Sequence, residues 1–333
     1  MKVAVLVPVY NSAAYFPQCL DSLLAQTYPG VEVFCHDDGS TDAALEIARA
    51  YARDNPGRVH VQAWANHGAV PTINRLLDDL PEAFDAYLMV DCDDYVHPRM
   101  VEVLVSEMER ERADVVECAF VNVAPEVAYP QGFHDIGAYG KKVITDMSVY
   151  RLRKTAPGAW ILRWNKLYRR SAVADLRLRD GLEYEGDFFF GYEVNAAISK
   201  KVIIDARLYA YRWNPHSATS RVNYRKYVHS ALERVRLSSE VFLKAGRIPE
   251  RMVTDFRKEL AKDACRMCIR KNLKKNRDAK SRRELFAEAS EFFCKMERDH
   301  GFEPVGLNLV QRFLYVCCRH RLYFLSRLAV LFT

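Results

Sequence analysis

Through the first 123 residues, short apolar runs alternate with longer amphipathic stretches. Runs rich in Val, Ile, Leu and aromatic residues occur at 2–9, 31–37, 59–64, 86–92 and 114–123, and each reads as a buried strand. The intervening stretches carry apolar positions at three- and four-residue steps. Asn11 or Ser12 can cap a helix bearing Leu20, Leu23 and Leu24, and Thr41 or Asp42 can cap one bearing Leu45, Ile47 and Ala48. Strands alternating with helices predict a parallel, helix-covered sheet, an α/β fold.

Further on the pattern changes. Residues 124–160, with Pro125, Pro130, Gly132, Gly137, Gly140 and Pro157, read as an irregular connection, and a second block runs from Trp160 to Ser220. The last third reads as helical, over 226–245, 251–273, 281–299 and 308–332. In the final segment Val310, Phe313, Leu314, Cys317, Phe324, Leu325, Leu328 and Phe332 are expected to form one stripe, with Arg312, Arg319 and Arg327 opposite. Its arginines and His320 argue against a membrane-spanning helix. Two readings of the stripe stay open: a helix lying on an anionic membrane surface, or one packed on its own domain or on a second subunit as a homodimer.

With 333 residues, half of them hydrophobic, the chain can bury one substantial α/β core and carry a smaller appended domain. Met1-Lys2 leads into an apolar run that meets Pro8 and Asn11 almost at once, which is not a secretion signal, so a cytoplasmic protein is expected. Nine cysteines then read as reduced thiols. Cys265 and Cys268 have metal-ligand spacing but no second pair, and Arg266, Arg270 and Lys271 around them disfavour zinc. The net charge of +6 hides a split: residues 221–333 hold 26 Lys and Arg against 13 Asp and Glu, whereas residues 1–220 hold 23 against 30. The two parts therefore have different neighbours.

Both acidic clusters fall at the carboxyl ends of predicted strands, where open α/β sheets bind ligands. Asp37-Asp38-Gly39-Ser40-Thr41-Asp42 offers a carboxylate that can accept from a nucleobase N–H, with Gly39 for a sharp turn, although the same residues also make an ordinary turn and helix cap. Asp91-Cys92-Asp93-Asp94 brings three carboxylates out of an apolar strand, a hard-oxygen set suited to Mg²⁺ or Mn²⁺.

In order and spacing, Val7-Pro8-Val9-Tyr10-Asn11, the Asp37–Asp42 cluster, Asn66-His67-Gly68 with Asn74 beyond, and Asp91-x-Asp93-Asp94 closely resemble the family-2 inverting glycosyltransferases, across roughly residues 1–220. The resemblance implies a single Rossmann-like nucleotide-diphospho-sugar transferase (glycosyltransferase A) fold with a C-terminal helical extension. The implied parts are a nucleotide-sugar-binding half (1–124), an acceptor-side part of the same catalytic domain (125–220) and a basic helical region (221–333). It further implies a nucleotide-sugar donor held by Pro8, Tyr10, Asn11, Asp38, Asn66, Gly68, Asp91, Asp93 and Arg212. In such enzymes the tyrosine stacks on the base and the second Asp of the Asp-Asp-Gly motif bonds it. Asp91 and Asp93, with Asp94 and His216, would meet the ribose and an Mg²⁺ or Mn²⁺ ion.

The family's base motif, Glu-Asp-x-x-Phe, matches Gly186-Asp187-Phe188-Phe189-Phe190, which places the catalytic base at Asp187 and replaces the preceding Glu by Gly186. A shift of one residue would instead align Glu185 with that Glu. Trp164, Asn165 and Lys166 resemble the segment bordering the acceptor cleft in bacterial capsule and lipopolysaccharide enzymes, and Tyr211–Thr219 resembles their closing loop. The implied acceptor is a glycan or lipid-linked hydroxyl in surface polysaccharide synthesis, reached in the cytoplasm or at the inner face of the membrane.

Rival readings fare worse. No Gly-x-Gly-x-x-Gly follows the first strand, as a nicotinamide dehydrogenase would need, and there is no phosphate-loop motif. A sugar nucleotidyltransferase would open with a Gly-rich, Arg-containing loop that is missing here. A nucleotide-sugar-binding protein without turnover remains the non-enzymatic alternative, with Gly186 as its mark. The basic last third shows no nucleic-acid-binding motif, so membrane or anionic-glycan contact is preferred to nucleic acid.

Overall fold

The computed structural model describes residues 1–125, 133, 136–145, 162–182, 186–214, 224–238, 240, 265, 277–300, 309–323 and 326. The chain divides into two compact units: Met1–Met147, Thr155–Leu178 and Phe190–Ser220 form the first, and Ser148–Lys154, Arg179–Phe189 and Arg221–Thr333 the second.

In the first unit, β1 (Val3–Val9), β2 (Val31–Asp37), β3 (Val59–Ala63), β4 (Ala86–Met89), β5 (Tyr95–Val96), β6 (Val115–Val123), β7 (Lys141–Ile144), β8 (Lys166–Arg169) and β9 (Lys201–Arg212) form one sheet. Among the described residues its order is β3-β2-β1-β4-β8-β6-β9-β5, with β7 also paired to β9. The strands β3, β2, β1 and β4 are parallel, so their carboxyl ends share one edge. Beyond them the sheet is mixed, because β8 runs antiparallel to both β4 and β6. The five runs expected to be parallel do point one way, but the sheet is corrected from parallel to mixed by the inserted β8; this four-residue strand carries Lys166 and Arg169 and has no apolar run to announce it.

Both faces of β1 are buried. Val3, Val5, Val7 and Val9 enter a core with Phe16, Leu20, Leu23, Ala44, Ala48, Met100, Leu104 and Met108, which come from α1 (Phe16–Leu24), α2 (Ala44–Asp54) and α4 (Met100–Glu111). Ala4 and Leu6 enter the opposite core with Ile73, Leu76 and Leu77 of α3 (Ala69–Asp78), Val173 of α5 (Arg170–Val173), and Phe190 and Val194 of α6 (Gly186–Ala197). Each wholly buried Val or Leu is worth about 1.5–3 kcal/mol, so the sheet centre, not its polar edge, holds the scaffold in place.

Helix α1 begins at Phe16, several residues after the expected cap, with a proline in its first turn. Asn11, freed from capping, turns to the next loop. The N-cap of α2 is Ala43, not the expected Thr41 or Asp42, and makes no side-chain cap bond; Asp42 Oδ1 instead accepts from the Ala44 N–H at 3.0 Å from just before the cap.

The second unit contains α7 (Tyr224–Ser238), α8 (Ala279–His300) and α9 (Leu309–Arg319). On α9, Leu314, Tyr315, Cys317 and Cys318 are buried, while Phe313 is 42% exposed and so lies off the expected stripe. Phe293 of α8 meets Tyr315 edge-on at 5.4 Å, Arg319 bonds Glu297 at 2.9 Å and Ser290 donates to the Cys318 carbonyl. Among the described residues no helix is long and apolar enough to cross a membrane. All eight described cysteines are free; Cys268, and with it the Cys265–Cys268 pairing, lies outside the described residues.

Candidate active site

Loops following the parallel strands interlock at their shared edge. Asn11, with φ of 46°, accepts through its Oδ1 from the Thr41 N–H at 2.7 Å and donates its backbone N–H to Ser40 Oγ at 3.0 Å. Asp38 then ties the β2 loop to the loop before α3: its two oxygens accept from the backbone N–H groups of His67 and Gly68 at 2.8 and 2.9 Å. Gly39 makes the close approach possible. Its φ is +71°, and a Cβ there would sit 2.8 Å from the Asn66 nitrogen. Pro8 is the penultimate residue of β1, Tyr10 follows it with 49% of its surface exposed, and Asn66 is exposed too. An open aromatic ring therefore stands beside a loop edge rich in carboxylates and backbone amides.

The acidic loop after β4 is built around a buried aspartate. Asp94 accepts from the Tyr209 hydroxyl at 2.7 Å and from the Arg212 backbone N–H at 2.7 Å. The same hydroxyl accepts from the Asp91 N–H at 3.2 Å. Burial, and then the neighbouring Asp93 and Asp91 carboxylates, push the Asp94 carboxyl well above its ordinary range. Cys92 packs against the core, its thiol pushed up to about 12 by burial. Asp91 and Asp93 are left partly exposed. Arg163 donates to Asp91 Oδ1, and Asn214 Nδ2 donates to Asp93 Oδ2 at 2.9 Å.

Arg212 is 3% exposed and spends its guanidinium within the protein. Nε donates to the Asp93 carbonyl at 2.8 Å, Nη1 to the Pro125 carbonyl at 2.6 Å and Nη2 to Gln18, with the rings of Tyr15 and Tyr95 within 4.9 and 5.2 Å. It clamps the acidic loop to α1. Trp164, Asn165 and Lys166 are buried as well. Trp164 stacks on Tyr209 at 4.3 Å and on Tyr211 at 5.3 Å, and Asn165 Nδ2 bonds the Cys118 carbonyl at 2.6 Å. Lys166 bonds Asn165 Oδ1 at 2.7 Å and pairs with Glu117 at 3.4 Å, beside the Lys201–Glu117 pair at 2.6 Å. Burial pushes the Lys166 ammonium down to about 8. Asp187 lies in the second unit, half-buried in the first turn of α6, where a helix N-terminus favours a carboxylate. His216 lies outside the described residues.

Residues 4–176 match the family model described as glycosyl transferase family 2. The chain belongs to that family. It is 27% identical to the Bacillus subtilis glycosyltransferase EpsJ over 98% of this chain and 94% of EpsJ. Glycosyltransferase GlyA of Streptococcus pneumoniae is 30% identical over 70% of this chain, a stretch that spans only 33% of GlyA. The structure of S. aureus TarS 1–349 in complex with UDP-GlcNAc superposes with a TM-score of 0.73 at 20% identity, covering 99% of this chain and 90% of that one. The fold is thus the glycosyltransferase A type with C-terminal helices, and the chain is a glycosyltransferase.

Within this glycosyltransferase, Pro8, Tyr10, Asn11, Asp38, Asn66, Gly68, Asp91, Asp93, Asp94 and Arg212 all lie in the first unit, on the loops around one sheet edge or on the strand bonded to them. Sequence reading missed the roles of Arg163, Tyr209 and Asn214, which hold the acidic loop from 72 to 121 residues away along the chain, and of Gln18, which accepts from Arg212. No local signal marks them; Tyr209 sits in a strand pattern and Gln18 in a helix. Among the described residues no group of three or more His, Cys, Asp or Glu side chains is arranged to hold a metal ion.

Proposed function

We propose that this glycosyltransferase moves a sugar from a nucleoside diphosphate donor, a UDP-sugar, to a hydroxyl of a glycan or lipid-linked acceptor in surface polysaccharide synthesis, with inversion at the anomeric carbon. The placement of the loops carries the reading: three interlocked loops set an exposed Tyr10 and the amide-bonded Asp38, and the separately anchored acidic loop sets two partly exposed carboxylates, Asp91 and Asp93, at the edge where open α/β sheets take nucleotides. TarS, of the same fold, was solved with UDP and with UDP-GlcNAc, which favours a UDP donor here.

The carboxylates present fit a divalent cation of the Mg²⁺ or Mn²⁺ kind. Such ions take one or two protein carboxylates and draw their remaining ligands from phosphates and water, so a complete protein cage is not needed. Asp91 and Asp93 would hold it; Asp94, with both oxygens already accepting and its charge disfavoured by burial, positions the loop instead. The cation supplies charge neutralisation for the departing diphosphate.

Tyr10 stacks on the base, and the Asp38 loop receives the base edge. Asp187 accepts the proton of the acceptor hydroxyl while the new C–O bond forms at the anomeric carbon and the bond to the diphosphate breaks, releasing UDP. An α-linked donor gives a β-linked product. Asp187→Asn should keep UDP affinity and lose product formation in a radiolabelled-transfer assay; undiminished transfer would place the base elsewhere. Screening UDP- and GDP-sugars for thermal stabilisation identifies the donor, because a ligand bound to the native state raises apparent stability.

A further inference from the structure

The second unit holds a cavity of about 740 Å³ between α7 and α8, with Gly181 at its border. We propose that it is a binding site for a neutral oligosaccharide. The assignment stands on the lining of this unit alone and is tested separately from the donor reading above.

One wall is apolar. Leu232, Phe292 and Met296 line it, with Phe292 and Met296 one turn apart on α8. Leu232 and Met296 are nearly buried and Phe292 is half-buried, so its ring offers a fixed flat surface to the C–H face of a sugar. The volume lies inside the range of about 300–1,000 Å³ typical of small-molecule sites, room for a short oligosaccharide.

The rest of the lining is charged but balanced. Arg236 is held between Glu233 and Glu240, at 2.8 Å from Nε and 2.7 Å from Nη1, and His229 is paired with Glu288. Lys295 adds a second cation against three carboxylates. An incoming phosphate would meet those carboxylates while Arg236 is already engaged, and an incoming cation would meet Arg236 and Lys295. Uncharged hydroxyls suit the lining: a carboxylate oxygen can accept more than one hydrogen bond, and the Lys295 ammonium donates to hydroxyls. The surplus positive charge of residues 221–333 is absent from this lining, so general anion attraction does not describe it.

The test uses the full chain. Chitotriose, cellotriose and maltotriose are titrated by ligand-observed NMR, alongside phosphatidylglycerol vesicles, on wild type, Phe292→Ala and Glu240→Gln; Glu240 is 38% exposed, so that variant keeps the core intact. At least one trisaccharide should bind saturably and weaken about tenfold in each variant, a loss of about 1.4 kcal/mol. No saturable binding, binding unchanged by both variants, or binding to the vesicles alone would overturn the proposal. A UDP titration on the same wild-type sample keeps the two readings apart: failure to bind UDP counts against the donor site, failure to bind trisaccharide against this one.

Discussion

Replacing Tyr209 by phenylalanine removes one hydroxyl from the centre of the acidic loop. That hydroxyl donates to the buried Asp94 at 2.7 Å and accepts from the part-buried Asp91 N–H at 3.2 Å. A typical hydrogen bond is worth about 0.5–1.5 kcal/mol net, and a buried amide left without an acceptor costs up to about 1–3 kcal/mol. The ring remains, and with it the 4.3 Å stack on Trp164, so packing changes little. The two losses share one loop and will not add fully, which puts the expected destabilisation at about 2 kcal/mol. Urea unfolding followed by circular dichroism reads it as a lower midpoint with an unchanged slope. Asp94→Asn, which points an amide N–H at one of the two donors, should show a coupling with Tyr209→Phe of about 1–2 kcal/mol in a double-mutant cycle. UDP affinity should fall in parallel, because Asp91 is held by the same oxygen. A stability change below about 0.5 kcal/mol, the size of an ordinary surface substitution, would refute the claim that this hydroxyl organises the loop.

Gly39→Ala puts a side chain at φ +71° with its Cβ 2.8 Å from a backbone nitrogen; it should lower the melting temperature and weaken UDP binding, with a stability loss of at least about 2 kcal/mol, and a wild-type melting curve would contradict the close approach. Lys166→Met tests the buried ammonium. Because burial pushes Lys166 down to about 8 from an ordinary 10.5, the unfolded chain binds more protons between those pH values, so this group makes folding less favourable below the window and its penalty fades as pH rises through it. Wild-type stability should therefore gain on the variant from pH 8 towards 10.5, by up to about 3 kcal/mol; parallel curves would show that Lys166 titrates normally.

Strand placement was legible because each parallel strand is a separate apolar run, and β2 begins and ends where its pattern does, Val31–Asp37. Both acidic clusters do emerge at strand ends, and Asn11, Asp38 and Gly68 do interlock. What local sequence could not show is which polar side chains turn inward. Asp94 stands one residue from Asp93 yet is buried, because its partners Tyr209 and Arg212 arrive on β9, 115 or more residues later. Trp164, Asn165 and Lys166 are placed beside the acceptor cleft by resemblance alone, and resemblance does not report burial. The sheet buries them by supplying Cys118, Glu117 and Tyr209 from neighbouring strands. Arg212, expected at the donor by resemblance, donates to the carbonyls of Asp93 and Pro125, partners that no local pattern announces.

Calorimetric titration of UDP into the wild-type chain and Asp93→Ala, each with Mn²⁺ and with chelator, bears most directly on the nucleotide site. Wild type should bind UDP with Mn²⁺ and lose most of that affinity in chelator, while Asp93→Ala should bind weakly and equally in both. Affinity in Asp93→Ala that still depends on Mn²⁺ as strongly as in wild type would contradict a cation held on the Asp91–Asp93 loop.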